Sequence, residues 1–247
     1  MSDKTKEIGK QCNKTHLSVD IAEEREIVHR DYLAHCMRWS HVLKHAETSE
    51  TILDLGCADA PLGMMFYTNK YSPACYVGVD LRQSQLDLGK EKLRQAKFPV
   101  SLLNLNLVTQ FDQIPKLPYT KICSFEFVEH IPGEHVEPFL VNVKSLMAPS
   151  TRFFLSTPCY DGKNQAANHI KEWYFTELKE LLEKHFEIEA VYGTFMNQSA
   201  LKKCWTIEEM TIFEKLHEYY DSNCLAIMFA PMHPAESRNA IWRLKLK

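Results

Sequence analysis

Asp54-Leu-Gly-Cys-Ala-Asp-Ala-Pro-Leu-Gly63 closes a short apolar run, Thr51–Leu55 (TILDL). A strand stops at a glycine and gives way to a helix. Gly56 has no Cβ, so the backbone can turn sharply there and come close to a ligand. The dinucleotide fingerprint GxGxxG is absent, because Ala58 stands at the second glycine position. No lysine follows in the loop, which excludes a P-loop. The turn carries acids instead, Asp54 and Asp59. Acids repel a pyrophosphate and suit a ligand with an amino group and a positive charge.

A second strand, Tyr76–Val79, ends at Asp80, 24 residues beyond Gly56. A carboxylate at that tip can accept both ribose hydroxyls of an adenosine. Working outward, helices are expected over 61–69, 83–96, 134–146 and 175–185. Further strands are expected over 100–105, 121–125, 152–156, 186–192 and 239–246. Alternating strands and helices imply an α/β, Rossmann-like, mostly parallel seven-stranded sheet with helices on both faces. Such sheets bind ligands at the carboxyl ends of their strands, near the switch point.

Upstream, residues 1–17 are polar and read as a flexible leader. The remaining 18–247 read as one domain. A helix over 18–45 starts at a capping box, Asp20 with Glu23, and carries Val28, Tyr32, Cys36 and Trp39 at helical spacing. Downstream, 194–238 is too long for a connection and is expected to be a helical insert or cap. Thr206 with Glu209 caps a helix over 207–220, and 224–231 is ambiguous between helix and strand.

The 247 residues are 45% hydrophobic and carry a formal net charge of −3. That is enough apolar material for one core, and it opposes bulk electrostatic binding of a phosphate backbone. No apolar run is long enough to cross a bilayer, and the N-terminus lacks a secretory pattern. The eight cysteines form no CxxC pair and read as reduced thiols. A cytoplasmic protein with no membrane partner is expected.

ILDLGCADAPLG resembles the first motif of class I S-adenosylmethionine (SAM)-dependent methyltransferases, DxGxGxG, and YVGVD resembles their second. The resemblance spans about residues 50–195. It implies that the turn of Asp54, Gly56, Cys57 and Ala58 wraps the methionine part of SAM. It implies that Asp80 and Leu81 hold the ribose end, that Asn106 (or Asn104) lies near the adenine, and that Glu126 meets SAM. Ala58 and Pro61 depart from the glycine-rich consensus and are expected to stiffen the loop.

After the fourth strand comes Phe125-Glu-Phe-Val-Glu-His130-Ile-Pro132, and after the fifth, Ser156-Thr-Pro158 and a loop that holds His169-Ile-Lys-Glu-Trp173. Two carboxylates and two histidines at one end of a sheet suit Mg²⁺, Mn²⁺ or Zn²⁺. The ExxEH…STP region resembles ubiquinone-type O-methyltransferases. With HxxEW it also resembles small-RNA 2′-O-methyltransferases. These resemblances imply Glu126, Glu129, His130 and His169 as metal ligands, with His130, His169 and Glu129 catalytic. In the alternative, Glu126 meets SAM and His130 orients the acceptor without a metal.

Tyr32, Arg38, Trp39, Tyr160 and Trp173 are expected to line the acceptor pocket. The expected function is methyl transfer to an oxygen or nitrogen of a small molecule. The alternatives are a metal-assisted RNA methyltransferase and a SAM-binding protein without catalysis.

Overall fold

The computed structural model describes residues 30–247 except 48, 164, 197–199 and 201–202, with side chains from residue 34 onward. The leader, the Asp20–Glu23 box and the Tyr32 side chain lie outside the described residues. Helix α1 is described over Arg30–Lys44. There follow β1 (Thr51–Leu55), α2 (Pro61–Thr68), β2 (Cys75–Asp80), α3 (Gln83–Leu93), β3 (Val100–Asn104), β4 (Lys121–Phe125), α4 (Gly133–Ser145) and β5 (Arg152–Pro158). The chain ends with α5 (Phe175–His185), β6 (Phe186–Phe195), α6 (Ile207–His217), α7 (Ser222–Phe229) and β7 (Asn239–Leu246).

The seven strands form one sheet in the order β3-β2-β1-β4-β5-β7-β6. All neighbours are parallel except β7, which runs antiparallel between β5 and β6. Successive strand residues point to opposite faces, and the sequence uses that alternation. Leu53, Val77, Ile122 and Phe153 bury one face against Phe139 and Leu140 of α4 and Leu178 and Leu182 of α5. Their immediate neighbours Ile52, Tyr76, Cys123 and Phe154 bury the other against Trp39 and Val42 of α1, Phe66 of α2 and Leu93 of α3. Both faces are covered, which explains why these strands read as continuous apolar runs.

The insert begins after Phe195, not at 194, because β6 keeps pairing with β7 to that residue. The ambiguous stretch 224–231 is helical, since Asp221 caps α7 by accepting from Asn223 N. Thr206 and Glu209 form the expected capping box, but α6 stops at His217. The insert returns tightly against β6. A Cβ on Gly193 would overlap Ser237 Oγ and the Ala230 carbonyl oxygen. Gly193→Ala should therefore destabilise the protein by about 1–3 kcal/mol through overpacking. A thermal melt lowered by about 2–4 °C per kcal/mol checks this.

Among the described residues no helix is long and apolar enough to cross a membrane. The seven described cysteines are free.

Candidate functional site

The chain leaves β1 to build β2 and β3 on one side, then returns to place β4 on the other. The crevice at this switch point lies at the carboxyl tips of β1 and β4. Gly56 N and Cys57 N donate to Val79 O (2.8 and 3.0 Å), which fixes the turn against the tip of β2. Gly56 has φ +77°, and an added Cβ would press on Phe127. Ala58 (φ 47°) and Ala60 (φ 58°) also adopt the left-handed region. Non-glycine residues there carry local strain of about 1–2 kcal/mol. Ala58 and Ala60 thus stand in the two later glycine positions of DxGxGxG. Pro61 is no departure that stiffens the loop, because it opens α2, where its fixed φ suits the first helical turn.

Asp80 is buried at the tip of β2. Its Oδ2 accepts from Ala58 N (2.9 Å) and its Oδ1 from Arg82 N (2.8 Å), so one carboxylate joins the first turn to the second. Leu81 beside it is 64% exposed, an apolar side chain open at the rim. Asn104, opposite Asp80 in register, donates to Leu81 O (2.7 Å). Asn106 Oδ1 accepts from Val108 N (2.9 Å) and shapes the turn after β3. Cys57 is buried, and burial pushes its thiol well above the usual range.

The acids of the turn are less free than their sequence suggests. Lys92 pairs with Asp59. Asp54 is buried, and Tyr76 donates to its Oδ2 (2.5 Å). Burial raises the Asp54 carboxyl to about 7, opposed by the Tyr76 bond and helped by Asp80.

At the tip of β4 the predicted four-ligand set divides. Glu126 has φ 52°, in the left-handed region that strains a residue carrying a Cβ. Its carboxylate pairs with buried Arg38 and accepts from Ser156 Oγ (2.9 Å) and Asn239 Nδ2 (2.7 Å). Glu126 is therefore not part of the metal-competent group. That group is Glu129, His130 and His169, with one donor atom of each within 4.8 Å of the others. Three of the four expected ligands come together. The fourth is held away by a cation and two neutral donors.

The geometry of the three is specific. Glu129 is fully buried; Oε2 accepts from Thr157 Oγ1 (3.0 Å), while Oε1 has no hydrogen-bond partner. Burial, and then the nearby Glu126, push its carboxyl well above the usual range. His130 Nδ1 meets the Asn168 carbonyl oxygen (3.1 Å) and must donate to it. Its Nε2 then keeps the lone pair, 3.9 Å from Glu129 Oε1. His169 Nδ1 donates likewise to Glu172 Oε1 (2.7 Å), leaving the lone pair on Nε2. Burial, then His169, lower the His130 pKa, so that ring stays neutral. Burial alone would raise Glu172, but bonds from Arg238, Ala166 N and His169 outweigh it and hold it ionised. Glu172 sits inside a quoted motif, yet its role as the partner of His169 shows only in the structure.

The expected acceptor-lining residues fare unevenly. Trp39 and Trp173 do not line an open pocket: both are buried in the core. Trp39 packs on the α1–α2 side and Trp173 on the α4–α5 side, because each is the bulkiest apolar group its segment can bury. Arg38 is no free cation, being 2% exposed and paired with Glu126. Tyr160 is half-buried edge-on to Tyr174, with ring centroids 5.1 Å apart. Arg238, just before β7, turns inward to Glu172.

A model of the family described as methyltransferase domain matches residues 26–206. No curated protein matches the sequence significantly. Among solved structures, a SAM-dependent methyltransferase from Archaeoglobus fulgidus is 16% identical over 91% of this chain and 97% of its own, with TM-score 0.58. A 1,6-didemethyltoxoflavin N1-methyltransferase from Burkholderia thailandensis, with its acceptor and S-adenosylhomocysteine bound, is 14% identical over 93% and 85%, with TM-score 0.60. A small RNA methyltransferase is 16% identical over 87% of this chain and 26% of its own, also at 0.60. At these identities the likeness is one of fold.

Proposed function

The chain belongs to the class I SAM-dependent methyltransferases, and from that premise we propose that it methylates a hydroxyl oxygen of a small-molecule acceptor, with Glu129, His130 and His169 holding a divalent cation. One observation carries the oxygen and metal assignment. A buried carboxylate oxygen without a donor stands beside a histidine whose lone pair is directed by its other nitrogen. A desolvated, unpartnered carboxylate oxygen is costly, and a cation offsets that cost. Two imidazoles and one carboxylate favour Mn²⁺ or Zn²⁺ over Mg²⁺, which prefers oxygen.

SAM supplies a methyl group already activated by its positive sulfur, so alignment matters more than acid–base strength. A cation at the three ligands supplies Lewis acidity that eases loss of the hydroxyl proton. The chain's own residues do the rest. Asp80 Oδ2 keeps a lone pair for one ribose hydroxyl, while Oδ1 already accepts from Arg82 N and Nε, so a second hydroxyl takes the place of the Arg82 side chain. Leu81 gives an apolar surface for the base. The Gly56–Ala60 turn leaves room for the amino-acid part. Arg38, Ser156 and Asn239 fix Glu126 at the boundary between cofactor and acceptor.

The small-molecule assignment rests on charge. Cations around the crevice already have acidic partners: Arg38 with Glu126, Lys92 with Asp59, Lys171 with Glu177 and Arg238 with Glu172. Among the described residues, these four are less free to meet a phosphate backbone. RNA is the second reading, favoured by the His169–Glu172–Trp173 run. Transfer of labelled methyl to a panel of phenols, catechols and a short RNA decides between them. Transfer to the hydroxyl compounds, lost in excess EDTA and restored by Mn²⁺ or Zn²⁺, is expected. Full activity in EDTA overturns the metal. Transfer to RNA alone, steeply weakened by salt, overturns the acceptor.

Asp54 adds a pH dependence. Its raised pKa means the empty protein keeps this proton up to about pH 7. A cationic amino acid group near the turn favours the ionised form, so the proton must leave on binding. Affinity for S-adenosylhomocysteine should be flat above pH 7 and fall by up to about tenfold per unit below it. Calorimetry across pH 6–8 checks this, and Asp54→Asn should remove the slope.

A further inference from the structure

We propose that Arg238 is a positioning residue, whose guanidinium aims His169 through Glu172; the inference rests on the assignment of His169 to the metal-holding set. Arg238 Nη1 lies 2.6 Å from Glu172 Oε2, and Nη2 donates to Oε1 (2.8 Å). The hydrogen bond at Oε1 and the close charge contact at Oε2, which lacks hydrogen-bond geometry, together restrain the carboxylate. Glu172 Oε1 then receives His169 Nδ1 (2.7 Å) and Ala166 N (3.0 Å). The imidazole has one rotational setting that satisfies this bond, and that setting decides where Nε2 points. Outer partners of ligating histidines commonly hold ring orientation in this way.

Arg238 is itself held by two separate segments. Its backbone N donates to Phe195 O at the end of β6 (2.7 Å). Its carbonyl accepts from Cys159 N just past β5 (2.6 Å). Nη1 also donates to Cys159 O (2.5 Å). Residue 238 is where the insert returns to the sheet, immediately before β7. The relay Arg238–Glu172–His169 therefore connects the insert's return point to the reacting end of the crevice. Lysine keeps the charge but lacks the planar fork, so it should restore only part of the function.

The test compares wild type with Arg238→Met, Arg238→Lys and Glu172→Gln. Two readouts are used: Mn²⁺ affinity by calorimetry, and long-range nitrogen–proton NMR of the His169 ring, identified with His169→Asn. Wild type should show one tautomer, with hydrogen on Nδ1. Arg238→Met and Glu172→Gln should lose that single form and bind Mn²⁺ about 10–100-fold more weakly, with Arg238→Lys between. An unchanged tautomer in Arg238→Met overturns the inference, as does unchanged Mn²⁺ affinity where wild type binds. If wild type binds no Mn²⁺, the metal assignment fails, and the NMR spectrum alone decides the role of Arg238.

Discussion

Replacing Asp80 with alanine should weaken S-adenosylhomocysteine binding by about 100-fold or more. The carboxylate is the one acid at the tip of β2, and it stands beside the first turn. Hydrogen bonds to a charged group contribute about 1.5–3 kcal/mol each. Two ribose hydroxyls would thus lose at least about 3 kcal/mol, or roughly two decades in affinity. The alanine also frees Ala58 N, whose acceptor is Asp80 Oδ2, and so loosens a turn held in left-handed conformations. Stability should change little, because removing Asp80 also removes a negative charge that raises the pKa of Asp54. Calorimetry with S-adenosylhomocysteine, alongside a melt, separates the two effects. Unchanged affinity would remove the basis for the cofactor assignment.

Glu129→Gln should abolish most methyl transfer while leaving the fold intact. The amide has nearly the same volume and can still accept from Thr157 Oγ1, so packing and that bond survive. The charge facing His130 does not survive. Losing an outer partner of a metal site costs about 10–100-fold, so losing a charged ligand should cost at least about 100-fold in rate and a similar factor in Mn²⁺ affinity. A melting temperature close to wild type is expected, because the amide keeps the shape of the carboxyl group and the bond from Thr157. A variant with full activity would show that Glu129 is structural and that the two histidines act without it.

The sheet was legible because its central strands β1, β2, β4 and β5 are apolar on both sides, and the period-two split between Ile52 and Leu53, or Phe153 and Phe154, is written in consecutive residues. Gly56 and Asp80 were legible because a turn and a strand tip leave local marks. The division of the four expected ligands was not. Glu126 and Glu129 look equivalent in sequence, but Arg38, Ser156 and Asn239 converge on the first from distant parts of the chain. The role of Arg238 was hidden for the same reason, because its partner Glu172 lies 66 positions earlier. Aromatic residues misled in the opposite sense. Trp39 and Trp173 suit a binding surface by type, but the core had the stronger claim on their area.

The position of β7 has a consequence for how the enzyme matures. It is synthesised after every other strand, yet it sits between β5 and β6 in the finished sheet. Until it emerges, β5 has a bare edge and β6 has no neighbour to join. Asn239, which donates to Glu126, is still missing, and so is the arginine beside it. The nascent chain can thus pair β1 to β5 while Glu126 still lacks its Asn239 donor, and that contact forms only with the closing strand.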